Sequence, residues 1–168
     1  LVGTLSELIE PQPVGVRWHT PEETDHLLAM MTAVNRAKVA AAQESGARVV
    51  GCIYRRTRAG ADGVRRQRAE VRFDGIAGCL RTPAGGSSRQ TILIVEGPSV
   101  RSRLLSPREA ARLMGLSESY RMPARYNEAY HVAGDGVCPP VVRHLAAHLI
   151  EPLIKAHRLS GTRLLDAA

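Results

Sequence analysis

Two hydrophobic periods divide this chain. Between Thr20 and Gly46 the apolar residues Leu27, Met30, Val34, Ala37 and Ala41 recur three or four apart, with Arg36 and Lys38 off the stripe. That spacing predicts one amphipathic helix, started by the capping box Thr20-Pro21-Glu22-Glu23 and ended by Gly46 after about Ser45. The period then shortens. Arg48 to Tyr54 and Gln67 to Phe73 read as strands, and the apolar run from Thr91 to Gly97 as a buried strand. The opening stretch from Leu1 to Ile9 also reads as a strand.

Helical spacing returns at Ser106. Ser106-Pro107-Arg108-Glu109 is a second capping box, and Gly115 stops the helix it starts. Ala110, Leu113 and Met114 form its apolar face, while Arg108 and Arg112, four apart, share another. Further on, Gly134-Asp135-Gly136 predicts a turn with positive φ that could approach a ligand closely, and Pro139-Pro140 start a helix where a missing N–H costs nothing. Val141, Leu145, Leu149, Leu153 and Ile154 line one face of that last helix, which should bend near Pro152. The expected fold class is therefore α+β, a small, irregular, mainly β unit flanked by helices.

Charge changes this picture more than composition does. The 168 residues give room for one domain, or a small domain plus a piece of another. A net charge of +7 favours a polyanionic partner. Its distribution is sharper: arginines 55, 56, 58, 65, 66, 68 and 72 face only Asp62 and Glu70 across that stretch, and Gly60 and Gly63 interrupt them. This predicts two strands joined by a flexible arginine loop. Arginine can bridge phosphates or read guanine O6 and N7, although a charged hairpin can also simply be solvated. Cys52, Cys79 and Cys138 lack Cys-x-x-Cys spacing, and His144 and His148 have no third ligand at useful spacing, so neither a metal site nor a disulfide framework is expected. A reducing cytoplasm suits such cysteines, and no apolar run reaches membrane-spanning length.

In order and spacing, the two helical signatures resemble the last two conserved motifs of the DNA (cytosine-5) methyltransferases. The residues that carry the likeness are Arg108-Glu109-Ala110-Ala111-Arg112-Leu113, then Tyr130-His131-Val132-Ala133-Gly134-Asp135-Gly136-Val137, then Pro140-Val141-Val142. Asp135 stands where the family usually has Asn, which keeps an acceptor and loses the amide donor. The stretch from Asp74 to Gly86 resembles the family's Thr-Leu-x-x-x-x-Gly-Gly loop, with Cys79 where Thr is frequent.

The resemblance implies a bacterial or phage enzyme that moves a methyl group from S-adenosylmethionine to C5 of a cytosine flipped out of double-stranded DNA. It also implies three segments: residues 1–46 as a linking strand and helix, 47–105 as the target-recognition domain, and 106–168 as helices completing the catalytic domain, on which the last helix packs. Arg72, Arg81, Thr82, Gly85, Gly86, Ser87, Ser88 and Arg89 would then lie near DNA phosphates, with Arg65, Arg66 and Arg68 as base readers. Asp135, Gly136 and Val137 would close one side of the S-adenosylmethionine pocket, and Arg108, Glu109 and Arg112 would be structural.

The chemistry itself is expected elsewhere. The family's nucleophilic Pro-Cys and its Glu-Asn-Val are absent, since the cysteines sit in Gly-Cys-Ile, Gly-Cys-Leu and Val-Cys-Pro. No catalytic residue and no metal are expected in this segment, and a catalytic half, on the same or a second chain, would be its partner. The start at Leu1 without Met fits a piece or second part of a larger enzyme, beginning after the catalytic domain's core motifs. Two rival readings remain at this level: a stand-alone DNA-binding module, and a basic scaffold for RNA or protein.

Overall fold

A computed structural model describes residues 3–60, 62–82 and 89–165. Its centre is a four-stranded antiparallel sheet in the order β2-β1-β3-β4, formed by β1 (Arg48–Ala59), β2 (Arg65–Arg72), β3 (Thr91–Glu96) and β4 (Ser99–Leu104). Helices α1 (Leu5–Leu8), α2 (Pro21–Ala29) and α3 (Ala33–Glu44) precede the sheet. Helices α4 (Pro107–Leu113), α5 (Tyr126–Asp135), α6 (Pro139–Leu145) and α7 (Glu151–Leu165) follow it, with a π turn over Ala146–Ile150 between the last two. The class is α+β.

Strand alternation splits the core into two layers. Val50, Cys52, Ile92 and Ile94 point to one face, where Leu5, Ile9, Leu105, Ala110, Tyr130 and Ala133 cover them. Ile53, Ala69, Val71, Leu93 and Val95 point to the other, against Met31, Val39 and Ala42. β3 is buried on both faces, which is why its sequence reads as a continuous apolar run.

Two expected elements come out differently. The opening stretch is not a strand: Thr4 and Glu7 make a capping box that starts α1, and the Leu5 amide donates to Gly75 O at 2.7 Å. The single helix after Thr20 is two helices broken at Met30–Thr32, and Val34, placed on the apolar stripe by spacing, is 68% exposed. Met31, Val39 and Ala42 are buried instead. The break has a use at the sheet edge. The Ala69 amide donates to Met30 O at 3.2 Å, the Val71 amide to Asn35 Oδ1 at 3.1 Å, and Lys38 Nζ to Val71 O at 3.4 Å. Edge groups of β2 that would otherwise face water are satisfied by this turn and by the first half of α3.

A bend is expected near Pro152, and the π turn lies just before it. Proline cannot donate to the carbonyl four residues back. The chain widens just before it, so that the Glu151 amide reaches Ala146 O.

Candidate nucleic-acid interface

The arginine-rich stretch is strand rather than loop. β1 runs to Ala59 and β2 starts at Arg65, so arginines 55, 56, 58, 65, 66, 68 and 72 all lie on paired strands, and the turn is confined to residues 60–64. Cross-strand pairing lets this polar stretch stay regular, because the backbone groups that face the partner strand are paired whatever the side chain. Gly60 N and Val64 O close the turn at 2.9 Å, and Gly63 takes a positive φ of 73° there.

Past β2 the chain crosses the sheet face that carries Tyr54. Gly78 is required at that crossing, since a Cβ built on it would fall 1.6 Å from Tyr54 Oη. Arg72, expected at a phosphate, donates from Nε to both Asp74 carboxylate oxygens, at 2.9 and 3.0 Å, and keeps a partly exposed guanidinium. Arg81 is exposed and Thr82 half-buried. Gly85, Gly86, Ser87 and Ser88 lie outside the described residues. Arg89, on the far side of that gap, donates to Asn127 Oδ1 at 2.7 Å and stacks on Tyr126 at 5.7 Å.

Helix α5 holds Arg81, Thr82 and Arg89 together. Asn127 and Tyr126, in its first turn, engage Arg89, while Gly134, near its end, lies against the backbone of Arg81 and Thr82. Tyr130, fully buried between them, accepts the Gln90 amide at 3.1 Å. The expected positive-φ turn at Gly134-Asp135-Gly136 is therefore absent. Gly134 and Asp135 are helical, and Gly136 caps the helix at φ −70° and ψ 149°. The glycine at 134 answers to close approach of another backbone and not to conformational freedom.

The cofactor-side candidates sit at this helix end. Gly136 and Val137, with Met114, Leu116, Tyr120, Val132 and Pro139, line a cavity of about 160 Å³. Asp135 is exposed, with His131 Nδ1 3.9 Å from its carboxylate. A cofactor-sized ligand needs roughly 300 Å³ or more, so these residues can form one wall of such a site and no more.

The helix α4 residues work inside the fold. Arg108 donates to Ser117 O and Tyr120 O, and Arg112 to Glu118, with Glu10 at 3.1 Å from its guanidinium. Glu109 is fully buried: it accepts from Arg103 Nη1 and Nη2 at 2.7 and 2.6 Å, and from the amides of Ser106 and Glu10 at 2.8 and 2.7 Å. Burial alone would raise its pKa, but the Arg103 and backbone hydrogen bonds, with the Arg103 charge, outweigh that and hold the carboxyl below its usual range. Arg103, on β4, was not singled out in the sequence. Its only signal is strand alternation, which puts Arg101 and Arg103 on one face, where both approach the Trp18 ring.

A second cavity, of about 440 Å³, opens between α2 and the other sheet face, with Leu27, Met30 and Leu104 apolar and His19, His26, Arg55 and Arg89 among its polar lining. Cys52 is buried, and burial pushes its thiol up to about 11, away from thiolate chemistry. Among the described residues no group of three or more His, Cys, Asp or Glu could hold a metal ion, and no helix is long and apolar enough to cross a membrane.

The family model described as C-5 cytosine-specific DNA methylase matches residues 15–151, and the chain belongs to that family. Type II methyltransferase M.NlaX of Neisseria lactamica is 37% identical over 57 residues, which cover 34% of this chain and 18% of that protein. Type II methyltransferase M1.ScrFI of Lactococcus lactis subsp. cremoris is 32% identical over 66 residues, covering 39% of this chain and 17% of that protein. The chain thus matches less than a fifth of the length of these curated relatives. No solved structure matches it.

Proposed function

We propose that this chain is the DNA-recognition and pocket-closing portion of a DNA (cytosine-5) methyltransferase. The observation that carries the proposal is the seating of Arg81, Thr82 and Arg89 on α5. One helix grips Arg81–Thr82 and Arg89 along its side and ends at Asp135–Val137, so DNA-facing and cofactor-facing residues share a single rigid element. Family membership supports the reading, and so does the net charge of +7.

In this role residues 47–105 meet duplex DNA. A cytosine inside the stack hides its C5, and extruding it costs a few kcal/mol that contacts to the backbone and the vacated site must offset. Arg81, Arg89 and Arg72 supply phosphate contacts, with Arg65, Arg66 and Arg68 toward the groove. S-adenosylmethionine, when bound, supplies the methyl group. Gly136 and Val137 cover one side of it and exclude water, and Asp135 offers an acceptor where an amide would also donate.

The catalytic half docks on the last helices. Val141, Val142, Leu145, Leu149, Ile150, Leu153 and Ile154 are each about half exposed along α6, the π turn and α7, an apolar stripe that isolated water-facing helices do not carry. The test is complementation. Mixing this chain with a catalytic half that carries Pro-Cys and Glu-Asn-Val restores methyl transfer to duplex DNA, read as incorporated labelled methyl. Absence of transfer under every mixing ratio argues against the role, and DNA binding that the catalytic half never strengthens points to a stand-alone module.

A further inference from the structure

The β1–β2 hairpin outruns its sheet. β3 pairs β1 only from Arg48 to Ile53, so beyond Ile53 the strands continue as a two-stranded ribbon, Tyr54 to Ala59 against Arg65 to Glu70. Six residues at about 3.4 Å each project roughly 20 Å. A two-stranded ribbon is also an element that the major groove, roughly 12 Å wide, admits.

Register decides which side chains share a face. Arg56 lies opposite Arg68 and Arg58 opposite Arg66, and alternation sets these with Tyr54 and Glu70 on the side that, nearer the core, packs on α4 and α5. Arg55 and Arg65 fall on the reverse side. Like charges directly opposite one another destabilise an antiparallel pair. Relief comes from Glu70, 3.3 Å from Arg58 and 4.0 Å from Arg56, and from Asp62, 2.7 Å from Arg66. Two carboxylates for four guanidiniums leave an excess of positive charge on one face. The loop stem crosses that same face at Gly78 over Tyr54.

We infer that this face of the ribbon enters the major groove and that Arg56, Arg58, Arg66 and Arg68 read guanine there. Arg55 and Arg65, on the reverse side, meet flanking phosphates. The inference rests on the DNA-recognition reading and narrows it: two of the four readers come from β1, and Arg65 is not among them. Arginine suits the task because its planar fork donates to guanine O6 and N7 together.

The experiment selects from a pool of duplexes, randomised over ten consecutive base pairs, with the full 168-residue chain and with two double variants. The wild-type chain enriches guanine at defined positions. Arg58→Gln with Arg66→Gln loses that enrichment and binds the preferred duplex roughly ten- to a hundredfold more weakly. Arg55→Gln with Arg65→Gln keeps the base preference and lowers the slope of log affinity against log salt by about one to two. The unfolding midpoint of the first variant stays close to that of wild type, because the like-charge pair and its exposed partners, Arg58–Glu70 and Arg66–Asp62, are lost together. Unchanged base preference in that variant overturns the ribbon assignment while leaving DNA recognition intact. Failure of the wild-type chain to bind any duplex overturns the recognition reading itself.

Discussion

Gly134 of α5 lies directly on the backbone of Arg81: a Cβ built on the glycine would stand 2.7 Å from both the Arg81 carbonyl carbon and the Thr82 nitrogen. Helical glycine is ordinarily a weakness, and replacing it with alanine in an open helix gains roughly 1 kcal/mol. Here the sign reverses. Gly134→Ala destabilises the chain by roughly 1–3 kcal/mol through overpacking against backbone that cannot yield cheaply. It also weakens duplex binding, because Arg81 moves with the loop stem. Urea unfolding and fluorescence anisotropy measure the two effects, and a stabilised variant with unchanged affinity would show that the contact is slack.

The Arg103–Glu109 pair is buried at both ends, with side chains 0% exposed. Removing one partner leaves the other charged without compensation, so Arg103→Met costs roughly 3–5 kcal/mol. Pairing it with Glu109→Leu recovers much of that loss, though the amides of Ser106 and Glu10 then lose their acceptor. A double-mutant cycle in urea gives the coupling, and additive losses would deny it.

Acid should find the same pair. The Glu109 carboxyl titrates lower in the folded chain than in the unfolded one, so the unfolded state binds the extra proton. Its contribution is fully present above the unfolded value of about 4.3 and is lost as pH falls through the folded value. Unfolding free energy measured from pH 7 downward therefore declines below about pH 4.3, and Glu109→Gln flattens that decline. A decline of equal steepness in the variant would assign it to other carboxylates.

Arg81 is exposed at the loop stem. Arg81→Ala should weaken binding alike across duplex sequences and reduce the salt slope by about one. Should the slope stay at its wild-type value, Arg81 makes no phosphate contact.

Leu145 and Leu149 lie one turn apart on the exposed stripe, 48% and 54% accessible. Changing both to Glu leaves the free chain's stability within about 0.5 kcal/mol, as surface changes do, and abolishes complementation by the catalytic half while DNA binding persists. Full complementation by the variant would move the docking face elsewhere.

How much of this was legible depends on where the decisive partner lies. The capping boxes at Thr20 and Ser106 are local, and both appear as read, with Glu23 and Glu109 reaching back to the cap amides at 2.8 Å. The β3 strand was legible because both of its faces are buried. The break at Met30–Thr32 was not, since its cause is the edge of β2, nearly forty residues later in the chain. The glycine at 134 read as a turn because its neighbour, Arg81, is remote in sequence. The arginine run looked like a loop because charge and glycine dominate its composition, while the register that makes it a ribbon belongs to the pairing. Periodicity sees one element at a time; the site depends on pairs.

Near the core, both flanks of the sheet are already occupied. The segment at Trp18 and His19 bridges β4, with the His19 amide on Ser102 O at 2.9 Å, and Met30, Asn35 and Lys38 serve the inner half of β2. A second copy therefore meets no long row of free amides beside the core, and the outer parts of β1 and β2 that stay open carry Arg55, Arg56 and Arg58 and Arg65, Arg66 and Arg68, which repel their own likeness. Among the described residues, cross-β polymerisation has no template. When the chain self-associates at high concentration, the helical stripe and not the sheet provides the adhesive surface, and the aggregates should lack amyloid dye binding.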